Sequence, residues 1–432
     1  MTPASRYLGR LACQRCSATY PDPSLELSGR GCPACEKEGT PANVLPVYDL
    51  GGLRGLPCDP AQPGLFRHRA LLPLDGATPA VSLGEGGTPL VPLPRTAERL
   101  GLGTVLIKDE TRNPTWSYKD RLAAVAVTKA VELGAPAVVV ASTGNHGAAV
   151  AAYAARAGLP CVVLTVASVP ATMKTLMQVY GARVVALENP RDRWRLMRRL
   201  VEERGWLAMS GHADPPVGSI PYGVDGYKTI AYEIVADLGR TPDHVVVPVA
   251  YADGLAGIRR GFADLVESGL ADRMPILVAA EPFGPHGTAL AAGTDTAGPV
   301  PITPSVAFSI ASPYGTFQGL AALRATGGRA VSVPDDARIL DAQGRLGREA
   351  GLYLEASSVT ALVAVEDLAG SGALPADATV VVVGTSTGLK DVGATAATLP
   401  PVPVVEPTPA ALDRGLAALD RRSGGLGPEG DR

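Results

Sequence analysis

Short, continuous runs of apolar and β-branched residues recur along this chain, with helical patterns between them. The runs are Thr104 to Ile107, Ala137 to Ala141, Cys161 to Val166, Arg183 to Leu187, His244 to Val249, Ile276 to Ala280 and Thr379 to Gly384. They are continuous rather than alternating, the pattern of strands buried on both faces of a parallel sheet. Helical patterns cover Lys119 to Leu133, His146 to Ala157, Ala171 to Tyr180, Arg191 to Arg204, Gly226 to Leu238 and Leu255 to Glu267. Many stop at a glycine, such as Gly134, Gly158, Gly181, Gly205 or Gly239, a common end to a helix. This order predicts an α/β fold with doubly wound, mostly parallel sheets.

With 432 residues the chain has room for two or three domains. It is 46% hydrophobic and 19% charged, which excludes a disordered chain and fits a well-packed globular one. A net charge of -3 gives no general attraction to nucleic acid or acidic membranes. No apolar run approaches the ~20 residues that span a bilayer. Met1 to Arg10 lacks an apolar signal core, so the expected location is cytoplasmic. Five histidines argue against a large histidine-based metal centre.

Four of the six cysteines form two pairs, Cys13-x-x-Cys16 and Cys32-Pro33-Ala34-Cys35. About fifteen residues separate the pairs, the spacing of a zinc ribbon. Each pair makes a knuckle that points two thiolates at one centre, giving a closed tetrahedron with no open position. The expected zinc is therefore structural; a redox pair or a chance cluster is the alternative, and cytoplasmic disulfides are rare. Arg15, Arg30 and Lys37 are outweighed by Asp22, Glu26, Glu36 and Glu38, so this module lacks the basic stripe of a nucleic-acid binder. Cys58 and Cys161 read as ordinary buried or semi-buried thiols.

The expected organisation is a zinc ribbon over 1–48 and a Pro- and Gly-rich linker over 49–83. A body over 84–399 follows, with a smaller subdomain at roughly 120–235 inserted in the larger. The tail, 400–432, is expected to be partly disordered, with one short helix near Ala410 to Arg421.

Lys119 opens a helix behind Pro114 and Ser117, in the string Asn113-Pro114-Thr115-Trp116-Ser117-Tyr118-Lys119-Asp120-Arg121. A lysine amine can condense with a cofactor aldehyde and later move protons on a substrate. One helix and one strand later comes Ser142-Thr143-Gly144-Asn145-His146-Gly147, a small-residue turn entering a helix. Unpaired N–H groups and the helix dipole make such a turn an anion site, and it follows a buried strand, where ligands bind in such sheets. Val249-Ala250-Tyr251-Ala252-Asp253-Gly254-Leu255 is a second strand-to-helix junction that could cradle a phosphate, or simply cap a helix. Asp253 is expected to point outward or cap that helix. Gly384-Thr385-Ser386-Thr387-Gly388-Leu389-Lys390-Asp391 follows the last strong run and lacks the spacing of a nucleotide P-loop.

These motifs, with Gly84-Glu85-Gly86-Gly87-Thr88-Pro89-Leu90, Lys108-Asp109-Glu110 and Tyr353-Leu354-Glu355-Ala356-Ser357-Ser358, resemble in order those of threonine synthases. Those are pyridoxal-phosphate enzymes of the tryptophan synthase β-chain type. The resemblance runs from the cysteine module to about Asp391 and implies two subdomains with the cofactor between them. It implies that Lys119 forms the imine with the cofactor and serves as the Cα base. It gives Asn145 the cofactor's phenolic oxygen, and Ser142, Thr143, Gly144 and His146 the substrate carboxylate. Ala250, Tyr251, Ala252, Asp253 and Gly254 would hold the cofactor phosphate. Thr385, or its neighbour Ser386, would face the ring nitrogen. A hydroxyl there suits elimination and replacement better than transamination.

The resemblance implies conversion of O-phosphohomoserine and water to threonine and phosphate. The chain departs from the family at Trp116, where glycine is usual, and at Gly223, where an arginine helps bind the substrate phosphate. Ser219 and Lys174 are the remaining candidates for that phosphate, and Trp116 and Tyr251 add bulk. The departure keeps open an elimination or replacement at Cβ of a serine-, threonine- or diaminopropionate-like amino acid, as in threonine dehydratase or cysteate synthase. A non-catalytic cofactor-binding or interaction protein is a further alternative, and a homodimer is left open as the assembly.

Overall fold

The computed structural model describes residues 5–22, 27–53 and 55–420. Glu26, part of the ribbon's charge balance, and residues 421–432 of the tail expected to be partly disordered lie outside them. The described residues fall into two compact units, divided after Lys390. Among the described residues no helix is long and apolar enough to cross a membrane.

Three sheets build the first unit. The ribbon sheet has β1 (Tyr7–Cys13) between β2 (Thr19–Pro21) and β3 (Val44–Tyr48), all antiparallel. The largest sheet draws on β4 (Leu90–Pro92), β5 (Thr104–Asp109), β10 (His244–Pro248), β11 (Ile276–Glu281), β12 (Arg329–Ser332) and β13 (Thr379–Gly384). Its order is β12-β11-β10-β13-β5-β4, parallel except for the β4–β5 edge. A parallel four-stranded sheet, β8-β7-β6-β9, uses β6 (Val138–Ala141), β7 (Cys161–Val166), β8 (Arg183–Leu187) and β9 (Leu207–Ala208).

The α/β architecture with mostly parallel sheets is the one the sequence predicts, and within the two larger sheets the missed strands are all edges. β4, β9 and β12 are only two to four residues long, too short to stand out as apolar runs. β8 was expected to be buried on both faces, yet as an edge strand it has no buried residue. The six expected helices form with ends within two residues of prediction, and Gly158 and Gly205 close theirs in the left-handed region at φ 69 and 64. The expected tail helix spans Pro409–Asp420.

The linker is not a loose tether. Leu65, Phe66, Leu71 and Leu72 are buried, and buried Lys228 donates to Leu71 O at 3.0 Å. Ribbon and body are also joined by polar contacts. Lys129 Nζ lies 2.7 Å from Asp22, Arg260 donates to Pro46 O at 2.8 Å, and Arg15 sits 4.1 Å over the Phe317 ring. Cys161 is buried as expected; Cys58 is exposed, correcting its reading as a buried or semi-buried thiol, because it lies in an irregular Pro-rich stretch with no sheet to cover it.

Candidate active site

A cavity of about 550 Å³ opens between the strand ends of the two parallel sheets. The structure places Lys119, Ser142, Thr143, Gly144, Asn145, His146, Ala250, Tyr251, Ala252, Asp253, Gly254 and Thr385 on its wall. Those residues come from loops after β5, β6, β10 and β13, at the carboxyl ends of parallel strands, where open α/β sheets bind ligands.

Lys119 begins the helix Lys119–Glu132, and Ser117 Oγ accepts from its N–H at 3.3 Å. The loop carrying it is stitched to the end of β13: Tyr118 N–H donates to Thr385 O at 2.9 Å, and Thr387 N–H to Trp116 O at 3.2 Å. Trp116 holds φ 58, a left-handed conformation that glycine adopts without strain and a bulky residue does not. That explains why glycine suits this position. The Trp116 side chain is 45% exposed and does not line the cavity, so it adds no bulk there. The Lys119 ammonium lies 4.9 Å from the Tyr118 ring centre and 5.8 Å from that of Tyr227. No carboxylate pairs with it among the described residues, in contrast to the Lys108–Glu233, Lys129–Asp22 and Lys228–Asp264 pairs at 2.9, 2.7 and 2.6 Å.

The Ser142 hydroxyl accepts from Gly144 N–H at 3.2 Å and Gly147 N–H at 2.9 Å, shaping the turn. Asn145 and His146 then open the helix Asn145–Ala157, where first-turn N–H groups have no intrahelical acceptor. The Asn145 amide is held at both ends. Its Nδ2 donates to Glu355 at 2.8 Å, and its Oδ1 accepts from Lys390 at 2.7 Å and Ser386 at 3.2 Å. One Nδ2 hydrogen remains for a ligand. His146 Nε2 is buried without a partner; burial, aided by Lys119, pushes its pKa down to about 3 and keeps the ring neutral.

Asp253 corrects an expectation. Its carboxylate neither faces outward nor caps its helix. It accepts from Ser219 N–H at 2.7 Å, Ser219 Oγ at 2.8 Å and Gln318 Nε2 at 2.7 Å, and the residue is buried. Three donors neutralise the charge more effectively than one cap. The helix Asp253–Glu267 still presents free first-turn N–H groups. A Cβ on Gly254 would lie 2.6 Å from Tyr118, so the aromatic ring packs against that helix start. Thr385 Oγ1 lies 2.6 Å from Ser358 Oγ on the wall; Ser386 is off it, committed to Asn145 and Trp116.

Sequence reasoning missed the far wall, formed by Arg191, Arg193, Trp194, Ser309 and Tyr314. No spacing marks them, because they reach the cavity only through the turn after β8 and the segment before the helix Phe317–Ala325.

The fold and this cavity define a known class. The chain belongs to the pyridoxal-phosphate dependent enzyme family, whose model matches residues 81–386. It is 36% identical over 337 residues to a threonine synthase of Methanosarcina acetivorans, covering 76% of this chain and 80% of that one. It is 32% identical over 363 residues to one of Halalkalibacterium halodurans, covering 84% and 98%. Solved structures share the fold: Escherichia coli diaminopropionate ammonia lyase at TM-score 0.62 and 21% identity covers 72% of this chain and 87% of its own. Maize serine racemase does so at 0.61 and 21%, covering 70% and 88%. The wall fits the family's cofactor: an unpaired lysine, a free helix start for a phosphate, a neutral histidine nitrogen without a partner, and a hydroxyl at Thr385.

Proposed function

We propose that this enzyme is of the threonine synthase type, a lyase that converts O-phosphohomoserine and water to threonine and phosphate. The observation that carries the reading is the unpaired Lys119 amine on one wall with the Ser142–His146 turn and Thr385. The threonine synthases at 31–37% identity support it. Pyridoxal phosphate, when bound, supplies an electron sink that labilises bonds at the substrate Cα. Lys119 would hold it and then take and return the Cα proton. N–H groups of residues 142–146 would bind the substrate carboxylate, and those of residues 250–254 the cofactor phosphate. Asn145, clamped by Glu355 and Lys390, would orient the cofactor ring. Thr385 would meet the ring nitrogen with a hydroxyl, which leaves that nitrogen unprotonated and favours elimination chemistry. Phosphate then leaves Cγ and water adds at Cβ.

One observation favours the second reading, a β-elimination or β-replacement. Gly223 is buried and off the cavity, and a Cβ there would lie 2.8 Å from Leu122 Cγ, so this position supplies no phosphate-binding group. A substrate panel on purified enzyme separates the readings. Threonine and phosphate from O-phosphohomoserine are expected; 2-oxoacid and ammonia from serine, threonine or diaminopropionate would install the second reading. A visible cofactor band that no amino acid perturbs would point to an inert binder.

Cys13, Cys16, Cys32 and Cys35 are proposed to hold a structural zinc within a 1–48 ribbon. Their sulfurs lie within 4.8 Å of one another, with Cys13–Cys35 at 3.6 Å and Cys16–Cys32 at 3.7 Å. A tetrahedron with zinc–sulfur bonds of about 2.3 Å needs edges of about 3.8 Å. Metal analysis is expected to return about one zinc per chain, and chelation to loosen the ribbon first. A metal-free, fully folded protein would remove this assignment. The proposed body is 84–399, with a smaller subdomain at roughly 120–235, the one with the four-stranded sheet, inserted in the larger, and the proposed location is cytoplasmic.

A further inference from the structure

The cavity contains a guanidinium that the reading above leaves unused. Arg193 lies in the first turn of the helix Asp192–Arg204 and lines the cavity together with Lys119. Its Nε donates to Pro190 O at 2.8 Å, which fixes the plane of the group. Among the described residues it has no ion pair, whereas its helix neighbours do: Arg195 with Asp192 at 3.3 Å, Arg198 with Glu36 at 3.9 Å and Arg199 with Glu203 at 2.9 Å. Arg193 is half-buried, and that burial lowers its pKa, with Tyr251 opposing the shift. A partly desolvated cation without an anion is costly. Its two free Nη groups match a phosphate in a bidentate arrangement.

The other candidates for a substrate anion are spent. Ser219 gives both its N–H and its hydroxyl to Asp253. Lys174 is off the cavity and donates to Ala167 O at 3.1 Å. Lys119 is reserved for the cofactor. Of the cationic residues on the wall, only Arg193 and the more exposed Arg191 remain. Trp194, next in sequence, also lines the cavity and meets the Tyr251 ring edge-on with centres 6.5 Å apart. The pair makes an apolar flank beside the charge, suited to the methylenes of a short side chain.

We propose that Arg193 is the specificity-determining residue of this site and binds a phosphate monoester on the side chain of the amino acid substrate. It replaces, from a different element, the positive charge absent at position 223. The proposal rests on the threonine synthase reading of the same cavity. Tyr251 lies in the loop assigned to the cofactor phosphate, so the test must separate the two phosphates.

Holoenzyme of wild type, Arg193→Met and Arg193→Lys is compared in three measurements. The first is cofactor affinity from visible absorbance. The second is kcat and KM with O-phosphohomoserine. The third is calorimetric binding of inorganic phosphate. The expected result for Arg193→Met is unchanged cofactor affinity, a KM raised about 10–100-fold and loss of phosphate binding. Arg193→Lys is expected to recover part of both. An unchanged KM with unchanged phosphate binding overturns the proposal. Cofactor affinity that falls in parallel also overturns it, because the guanidinium then serves the cofactor. If wild type fails to turn over O-phosphohomoserine, the functional reading fails alone: phosphate binding lost in Arg193→Met still upholds the subsite, and phosphate binding kept overturns it.

Discussion

Lys119→Ala is expected to lower kcat/KM by more than about 10³-fold, since it removes both the covalent attachment and the proton-transfer group. The visible absorbance of lysine-bound cofactor should vanish in the same variant. The buried lysines, compared as a set, single out Lys119. Lys108, Lys129 and Lys228 each sit against a carboxylate at 2.9 Å or less. Those contacts hold the three ammonium groups away from the cavity, and none of them lines it. Lys390 is the one serious rival. Burial, opposed by Glu355 and Asp120, lowers its pKa to about 8, and its Nζ donates to Asn145 at 2.7 Å. That hydrogen bond turns Lys390 toward the amide, and it does not line the cavity. Lys390→Met should therefore keep the band, with its position shifted as Asn145 loosens. Because Lys119 has no ionic partner, its loss should change unfolding free energy by less than about 1 kcal/mol. Borohydride reduction followed by peptide mapping checks the assignment directly. A label on Lys390, or a band that survives in Lys119→Ala, would sink it.

The residues that surround Lys119 were readable because each sits immediately after a buried strand. Val138–Ala141, His244–Pro248 and Thr379–Gly384 are continuous valine-rich runs, so the turns that follow them had to emerge on one side of the fold. What stayed hidden depends on partners far along the chain. Asp253 was expected to point outward or cap its own helix, but Ser219 and Gln318, 34 and 65 residues away, take its carboxylate instead. No local rule competes with three donors brought in on two residues by tertiary packing. Arg193 was hidden for a different reason. It belongs to Asp-Arg-Trp-Arg-Leu-Met-Arg-Arg-Leu, a helix so rich in arginine that nothing in its composition singles one of them out. Only the turn after β8 decides which of them faces the cavity. Trp116 was misplaced because volume was inferred without backbone: at φ 58 its side chain is directed to solvent while its carbonyl accepts from Thr387 and Ser386.

Arg121→Met is expected to destabilise the protein by about 3–5 kcal/mol, the cost of removing one partner from a buried ionic network. Arg121 is fully buried two residues after Lys119. It reaches Glu110 at 2.7 and 2.8 Å and Glu233 at 2.8 and 2.7 Å, with Thr88 and Thr229 completing its donors at 3.0 and 2.8 Å. The group thus ties together the entry loop, the segment after β5 and the helix Lys228–Leu238 around the start of the lysine helix. Methionine fills a similar volume but leaves Glu110 without a cation and Glu233 with only Lys108, 2.9 Å away. Burial alone would raise the Glu233 carboxyl; Arg121 and then Lys108 outweigh it and hold it well below the usual carboxylate range. A carboxyl depressed in this way stabilises the fold above its unfolded value of about 4.3, and the contribution fades as pH falls toward the native value. In Arg121→Met the larger of the two cations that depress Glu233 is gone and only Lys108 remains, so this contribution shrinks. The stability gap between wild type and variant should therefore be widest at neutral pH and narrow below about pH 4. Urea unfolding at pH 7 and pH 4 measures it. Arg121→Met/Glu110→Leu should recover part of the loss, because it removes the stranded charge as well as its partner. A single-variant loss below about 1 kcal/mol at pH 7 would show that solvent reaches this network and that it does not anchor the lysine helix.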